Sequence, residues 1–118
     1  MSVLDSPFAL PAGRLLALDL GQVRIGVAVC DEAGLLATPL TVLQRRPTRI
    51  EDFAAIARLV QREKVVGVLA GMPAAVGEEG SQQARWTRRY AGRLAGALPV
   101  PLAFWDETLT SVSAAERL

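Results

Sequence analysis

The first half of the chain has the pattern of apolar runs and short turns that an antiparallel sheet requires. Residues 14–21 are apolar on both faces apart from one acid and end in a glycine, which predicts a central, covered strand. Residues 23–30 follow this glycine turn and predict the second strand of a hairpin. After a polar turn, residues 35–43 predict a third strand, which Pro39 marks as an edge strand. Three antiparallel strands therefore open the fold.

A capping box and a helical spacing of apolar residues predict the first helix. The Thr48 hydroxyl and the Glu51 carboxylate can each accept a hydrogen bond from a backbone amide at the helix start. The helix extends to Lys64, with its charged residues away from the apolar stripe. The residues predicted to face the core are Ile50, Phe53, Ala57 and Val60.

The second half of the chain alternates between strands and helices. Residues 65–71 predict an uncharged strand, and the glycines and proline of residues 72–80 predict a loop. Ser81 can cap the second helix. Residues 100–105 predict another strand, and a last helix begins at residue 111. The stripe that would pack the second helix on the core comprises Ala84, Ala91, Ala95 and Leu98.

This order of elements predicts an α/β fold. Three antiparallel strands are followed by strands that are parallel through right-handed crossovers, so the β-sheet is mixed and helices lie on both faces. A length of 118 residues, 51% of them hydrophobic, suits one domain with a single core. We expect this domain to occupy residues 14–118 after a short lead-in of residues 1–13, with a C-terminal helix that is incomplete.

Charge and composition exclude several kinds of chemistry. With 13 basic and 12 acidic residues the net charge is +1, so a nucleic acid would have to be bound by a local basic patch. The absence of histidine excludes a Ser-His-Asp triad, a Cys-His pair and histidine-ligated zinc. The single cysteine, Cys30, excludes an internal disulfide framework and favours a reducing compartment. Without a run of roughly 20 apolar residues or a signal peptide, we expect a cytoplasmic protein with no membrane partner.

The first candidate for chemistry is the acid within the central strand. Asp19 is followed by a glycine turn and by Arg24. We expect Asp19 to be buried, and a buried carboxylate without a partner costs several kcal/mol. A divalent metal ion is one candidate partner, and Arg24 is another, in which case the pair is structural.

Two acids follow the last predicted strand. Asp106 and Glu107 come at its carboxyl end, where ligands usually bind in open α/β sheets. If this strand lies near the first one, Asp19 and Glu107 could share one divalent ion, because Mg²⁺ and Mn²⁺ prefer carboxylate oxygens. The alternative is that Asp106, Thr110 or Ser111 only caps the last helix.

A loop between the predicted strand at 65–71 and the second helix is a candidate phosphate site. It leads into a helix N-terminus, where free backbone amides can bind an anion. The alternative is a plain crossover loop with a serine cap. The residues concerned are Gly71, Pro73, Gly80 and Ser81.

Arginines on the second helix form a candidate surface for nucleic acid. Their spacings of three and four put them beside two aromatic residues, which suits phosphate contacts and base stacking. A solvated helix face is the alternative. The arginines are Arg85, Arg88, Arg89 and Arg93, the aromatic residues are Trp86 and Tyr90, and a second basic cluster comprises Arg45, Arg46 and Arg49.

Three segments in this order resemble the YqgF/RuvX family of pre-16S rRNA nucleases and Holliday junction resolvases. They are residues 18–29 (LDLGQVRIGVAV), residues 71–73 (GMP) with residues 80–81 (GS), and residues 105–111 (WDETLTS). The resemblance covers almost the whole chain from residue 14. It implies an RNase H-like fold.

The resemblance also implies a metal-dependent nuclease that hydrolyses phosphodiester bonds in structured RNA or branched DNA. Asp19 and Glu107 would hold Mg²⁺ or Mn²⁺, with two ions about 4 Å apart and Asp106 as an outer or alternate ligand. Arg24, the loop and the arginines of the second helix would position phosphates. The family has a further acid in its last helical region, which this sequence ends before reaching, and commonly an arginine where Thr108 stands. A resolvase would be expected to act as a homodimer.

Two other functions remain open. The first is a nucleic-acid-binding module without catalysis. The second is a lobe of an actin-like sugar kinase, because an Asp-Leu-Gly segment before a hairpin also suits an ATP-phosphate loop. The length of the chain argues against the kinase, because such enzymes bind the nucleotide between two lobes.

Overall fold

A six-stranded mixed sheet forms the centre of the molecule. The computed structural model describes residues 3–31, 37–72 and 77–106, with the backbone alone for residues 77–81 and 106. The strands are β1 (Val3–Leu4), β2 (Leu15–Leu20), β3 (Arg24–Cys30), β4 (Ala37–Gln44), β5 (Gly67–Met72) and β6 (Leu102–Asp106). Their order across the sheet is β1-β6-β5-β2-β3-β4. The strands β2, β3 and β4 are antiparallel, whereas β5, β6 and β1 run parallel to β2, so the predicted mixed sheet is confirmed.

Two α-helices connect the parallel strands. Helix α1 (Arg49–Glu63) begins with the predicted capping box of Thr48 and Glu51 and ends at Lys64, whose φ of 55° is left-handed. Helix α2 (Gly77–Gly96) begins four residues before Ser81. The prediction that Ser81 caps this helix is therefore wrong.

Alternate residues of the central strands form a core beneath both helices. Leu16, Leu18 and Leu20 of β2 are at most 4% exposed, and their cross-strand neighbours on the same face are also buried. These residues form one cluster with the apolar residues of α1 and α2, so both described helices cover the same face of the sheet. The last predicted helix lies outside the described residues. The members of the cluster from α1 and α2 are Ile56, Leu59, Val60, Tyr90, Ala91, Leu94 and Ala95, and Leu98, which follows α2, also belongs to it.

The buried side of α1 differs from its predicted stripe. Ile50, which we expected in the core, is 79% exposed, whereas Asp52 is only 3% exposed. The buried positions of α1 are Asp52, Ala55, Ile56, Leu59 and Val60, which recur at helical spacing with a carboxylate as the first member. A search for apolar residues at helical spacing does not find this buried face, because its first member is charged.

The segment before residue 14 contributes to the sheet instead of only leading into it. Val3 and Leu4 pair in parallel with Leu102 and Ala103 at the edge of β6. A 3-10 helix at Pro7–Ala9 follows. Two-residue strands are too short to show a periodic pattern, so the sequence did not predict this one. No helix in the described ranges is long and apolar enough to span a membrane.

Candidate functional site

The carboxyl ends of three parallel strands meet at one edge of the sheet. Asp19 is the penultimate residue of β2, and Asp106 is the last residue of β6. Strand β5 lies between them, with Gly71 paired to Trp105 and Met72 paired to Asp106. Two interstrand spacings separate β2 from β6, or about 10 Å between their backbones. The expectation that these two strands lie near each other is confirmed.

Asp19 is exposed, so the expectation of a buried acid is wrong. It lies on the face of the sheet opposite to α1 and α2, because the residues on either side of it in β2 point into the core. Its cross-strand partner is Gly26, where an added Cβ would come within 3.5 Å of the Asp19 Cβ. On the other side, Gly71 follows Ala70, the β5 partner of Leu18. Strand alternation therefore leaves the Asp19 carboxylate open between two glycines.

Arg24 lies at the first position of β3, on the same face of the sheet as Asp19. The side chain is exposed, and within the described ranges the two residues form no ion pair within 4.0 Å. The structural Asp19–Arg24 pair is therefore not formed. The guanidinium adds positive charge to the face that carries the Asp19 carboxylate.

A tight turn after Asp19 joins β2 to β3. The Gly21 N–H donates to the Arg24 carbonyl at 3.0 Å. A Cβ added at Gly21 would lie 2.6 Å from that carbonyl oxygen, which is closer than real Cβ atoms approach. Glycine is therefore required at this position by close approach of the backbone.

A buried ion pair beneath this turn was missed by the sequence analysis. The Arg45 Nε donates to the Asp52 Oδ2 at 2.6 Å, and the Arg45 Nη1 donates to the Gly21 carbonyl at 3.1 Å. The Arg46 N–H and the Tyr90 hydroxyl donate to Asp52 at 2.9 Å and 3.2 Å. Arg45 therefore connects the turn after Asp19 to α1 and α2. The helical spacing of Asp52 with Ala55, Ile56 and Leu59 is the sequence signal that could have identified the buried acid.

Tyr90 belongs to the core and does not form an exposed stacking surface. It is 3% exposed, its ring stacks on Trp86 with centroids 5.3 Å apart, and it meets the Phe53 ring edge-on at 5.3 Å. Burial, reinforced by the neighbouring Asp52 carboxylate, raises the pKa of the Tyr90 hydroxyl above its ordinary value. The expectation that Tyr90 stacks on bases is therefore wrong, whereas Trp86 is only half-buried.

The arginines of α2 are exposed, as a phosphate-binding surface requires, but they do not act as one group. Arg88 lies over the Phe104 ring at 5.6 Å. Arg89 and Arg93 instead line a pocket that also involves Arg49 of α1. The exposed arginines of this helix are Arg85, Arg88, Arg89 and Arg93.

The proposed phosphate loop is divided among other elements. Gly71 lies in β5, and the backbones of Gly80 and Ser81 lie inside α2. Pro73 and Glu107 are outside the described residues. The connection between β5 and α2 is four residues long, shorter than the predicted loop.

The described side chains supply one open carboxylate to a metal site. Among them, no three His, Cys, Asp or Glu residues come together. The Asp19 carboxylate nevertheless fits a hard divalent cation, because the residue is exposed and its cross-strand partner, Gly26, carries no side chain.

The family model and the similar proteins all match most of this chain. A family model described as "RuvX: Holliday junction resolvase" matches residues 13–118. A Picosynechococcus protein named "Putative pre-16S rRNA nuclease" is 44% identical over 104 residues, covering 87% of this chain and 71% of its own length. A Syntrophus aciditrophicus protein of the same name is 45% identical over 106 residues, covering 89% of this chain and 69% of its own length.

Solved structures show the same fold at low sequence identity. RuvC from T. thermophilus, in complex with a Holliday junction substrate, matches with a TM-score of 0.55 and 18% identity, covering 79% of this chain and 65% of RuvC. The ethanolamine utilization protein EutJ from Carboxydothermus hydrogenoformans also has a TM-score of 0.55, with 15% identity, covering 90% of this chain and 41% of EutJ. The fold is therefore the RNase H-like one of RuvC, and the chain belongs to the RuvX family.

Proposed function

We propose that this protein is a divalent-metal-dependent nuclease that hydrolyses phosphodiester bonds in structured nucleic acid. The observation that carries the proposal is the open Asp19 carboxylate between two glycines, at the sheet edge where β2, β5 and β6 end. Asp19 forms no ion pair within the described ranges.

Asp19 and Glu107 are the residues that we propose as ligands of Mg²⁺ or Mn²⁺. Glu107 follows Asp106 in the sequence, Asp106 ends β6 at the sheet edge where Asp19 lies, and we propose Asp106 as an outer or alternate ligand. When bound, such an ion would activate water and stabilise charge on the phosphate oxygens. The chain has no histidine that could act as a general base instead.

The remaining residues of the chain act on the substrate phosphate. Arg24 lies on the Asp19 face and can donate hydrogen bonds to phosphate oxygens, which orients the phosphodiester over the carboxylate. Gly26 and Gly71 carry no side chain, so a nucleic acid backbone can approach Asp19 closely from both sides. The turn at Gly21, held by Arg45, fixes the end of β2 that carries Asp19.

Precursor ribosomal RNA is the substrate class that we place first, and a four-way DNA junction is second. The names of the relatives support the RNA, and the family description supports the junction. Processing of precursor rRNA would place the activity in the cytoplasm. Resolution of a junction would require two symmetric cuts and therefore a homodimer.

The test is cleavage of labelled precursor rRNA, single-stranded RNA and a four-way DNA junction with Mn²⁺ or with EDTA. Asp19→Asn keeps the size of the side chain and should abolish Mn²⁺-dependent cleavage without changing the circular dichroism spectrum, because Asp19 is exposed. Asp5→Asn removes the same charge from another exposed position and should cleave as the unsubstituted protein does.

The outcomes separate the candidate functions. Cleavage that persists in Asp19→Asn would refute the proposed site. Binding of the substrates without any cleavage would identify a nucleic-acid-binding module, for which the exposed arginines of α2 are the supporting observation. Tight binding of ATP without binding of nucleic acid would favour the actin-like lobe.

A further inference from the structure

A small pocket lies between the first turn of α1 and the middle of α2. It has a volume of about 60 Å³ and is lined by Arg49, Trp86, Arg89, Tyr90 and Arg93. This volume is enough for a small anion or for part of a larger one. Three of the five lining residues carry a permanent positive charge.

The three arginines have no acid to neutralise them in the part of the chain that the structure describes. All three are exposed, and none forms an ion pair there within 4.0 Å. The nearest buried acid, Asp52, already accepts hydrogen bonds from Arg45, from the Arg46 backbone and from Tyr90. The pocket therefore concentrates positive charge that an anion would stabilise.

Three arginines outside this pocket have contacts that explain their positions. Arg14 and Arg62 both bind Glu63, at 2.7 Å and 3.1 Å, and Arg88 covers the Phe104 ring. A second pocket is also lined by three arginines, Arg46, Arg58 and Arg62, but Arg62 binds Glu63 and no aromatic residue lines that pocket. The pocket between α1 and α2 differs from it in its aromatic wall and in three arginines without an ion pair among the described residues. Guanidinium groups arranged in this way suit the oxygens of phosphate, which they can bind with two parallel hydrogen bonds.

The aromatic wall of the pocket is held rigidly. The Trp86 and Tyr90 rings stack with an interplanar angle of 24°, and the Arg45 guanidinium lies 4.7 Å from the Tyr90 centroid and 5.4 Å from the Trp86 centroid. Trp86 remains half-buried, so part of its ring adjoins the arginines. An indole beside a phosphate site suits a nucleobase, because bases stack on aromatic rings without regard to their sequence.

We propose that Arg49, Arg89, Arg93 and Trp86 form a second binding site, which holds a phosphate and base of single-stranded nucleic acid. The identity of the ligand rests on the proposed nuclease function. Asp19 lies on the opposite face of the sheet from α1 and α2, so the nucleotide held here is not the one that is cleaved. The site anchors a segment of the substrate away from the scissile bond.

The experiment measures binding of a fluorescently labelled single-stranded RNA by anisotropy, in EDTA so that no cleavage occurs. Arg89→Gln and Arg93→Gln should each weaken binding about tenfold at low salt, because each removes a charge-assisted hydrogen bond. The slope of log affinity against log salt should fall by about 0.7 for each phosphate that a variant no longer neutralises. Arg58→Gln is the matched control, since Arg58 is exposed on α1 and lines the other pocket, which has three arginines but no aromatic residue, and it should change the affinity less than twofold.

Competition with inorganic phosphate and with a nucleoside monophosphate identifies the source of the phosphate. Weak competition by both, together with weaker RNA binding by Arg89→Gln and Arg93→Gln, supports a site for a nucleic acid strand. Equal binding by these variants and by Arg58→Gln would overturn the proposal. So would strong competition by the monophosphate with unchanged RNA affinity in the variants, which would indicate a site for a free nucleotide.

Asp19→Asn separates this proposal from the nuclease function. The variant should bind the RNA as the unsubstituted protein does, because Asp19 is not part of the pocket. If neither the unsubstituted protein nor any variant cleaves the RNA, but Arg89→Gln and Arg93→Gln still weaken RNA binding, the nuclease function is refuted and the second binding site is not. If the unsubstituted protein cleaves the RNA, but Arg89→Gln and Arg93→Gln bind it with unchanged affinity, the second binding site is refuted and the nuclease function is not.

Discussion

Replacing Arg45 by methionine tests the buried ion pair that connects the Asp19 turn to the helices. Asp52 is 3% exposed and receives the Arg45 Nε at 2.6 Å. In Arg45→Met the described residues leave two neutral donors for the carboxylate, the Arg46 N–H at 2.9 Å and the Tyr90 hydroxyl at 3.2 Å. Methionine retains apolar contact area, so the substitution removes mainly the charge and its hydrogen bonds.

The expected loss is a large fraction of the stability of the domain. Breaking a buried ion pair by removing one partner costs about 3–5 kcal/mol, because the remaining charge stays buried. The free energy of unfolding of a domain is about 5–15 kcal/mol in total. Asp52→Asn in the Arg45→Met background should recover part of the loss, because the amide is neutral and its oxygen can still accept a hydrogen bond from Tyr90.

The assay is urea-induced unfolding followed by tryptophan fluorescence, with the free energy of unfolding taken from the midpoint and slope. Arg14→Met is the comparison variant. Its pair with Glu63 has nearly the same length, 2.7 Å, but the Arg14 side chain is 46% exposed, so water already screens that charge. If Arg45→Met is as stable as Arg14→Met, or if Asp52→Asn gives no recovery, the account of the buried pair is wrong.

Three further predictions concern the same region. Tyr90 is the only tyrosine of the chain, so phenolate absorbance should report its ionisation directly, with a midpoint higher in the native protein than in urea. Since the folded pKa is raised, the buried hydroxyl contributes stability that is present below pH about 10 and is lost as the pH rises further, and Tyr90→Phe should lose less stability over that range. Gly21→Ala places a Cβ 2.6 Å from the Arg24 carbonyl oxygen and should destabilise by about 1–3 kcal/mol in urea unfolding, whereas an unchanged midpoint would contradict the close approach. Thr48→Ala removes the helix cap and should cost about 1 kcal/mol, and Thr48→Ser should restore most of it.

The candidate site was only partly predictable from the sequence. Asp19 in β2 and Asp106 at the end of β6 lie at one sheet edge as predicted, because parallel strands end on the same side. The exposure of Asp19 was not predictable. Asp19 occupies a run that is apolar on both faces, and its exposure depends on α1 and α2 both covering the other side of the sheet.

The burial of Asp52 in its ion pair with Arg45 was likewise not predictable from the local sequence. Both residues flank a capping box, where charged side chains are ordinarily solvated, and the sequence pattern placed Ile50 in the core instead. The packing of Tyr90 and Trp86 against the start of α1 encloses Asp52. Those residues are 34 or more positions away along the chain, which no local pattern covers.

The sequence by itself determined the order of β2 to β6 with α1 and α2, the antiparallel opening of the sheet and the capping box, because each depends on neighbours within a few residues. It also predicted Asp19, Glu107 and the arginines of α2 as the residues available for chemistry, and these stay predictions. Only the tertiary structure decided which acid is buried, which arginines converge on one pocket and where the first strand pairs. These features depend on contacts between segments that are far apart in the chain. A residue is buried only when such segments pack around it, which no local pattern reports.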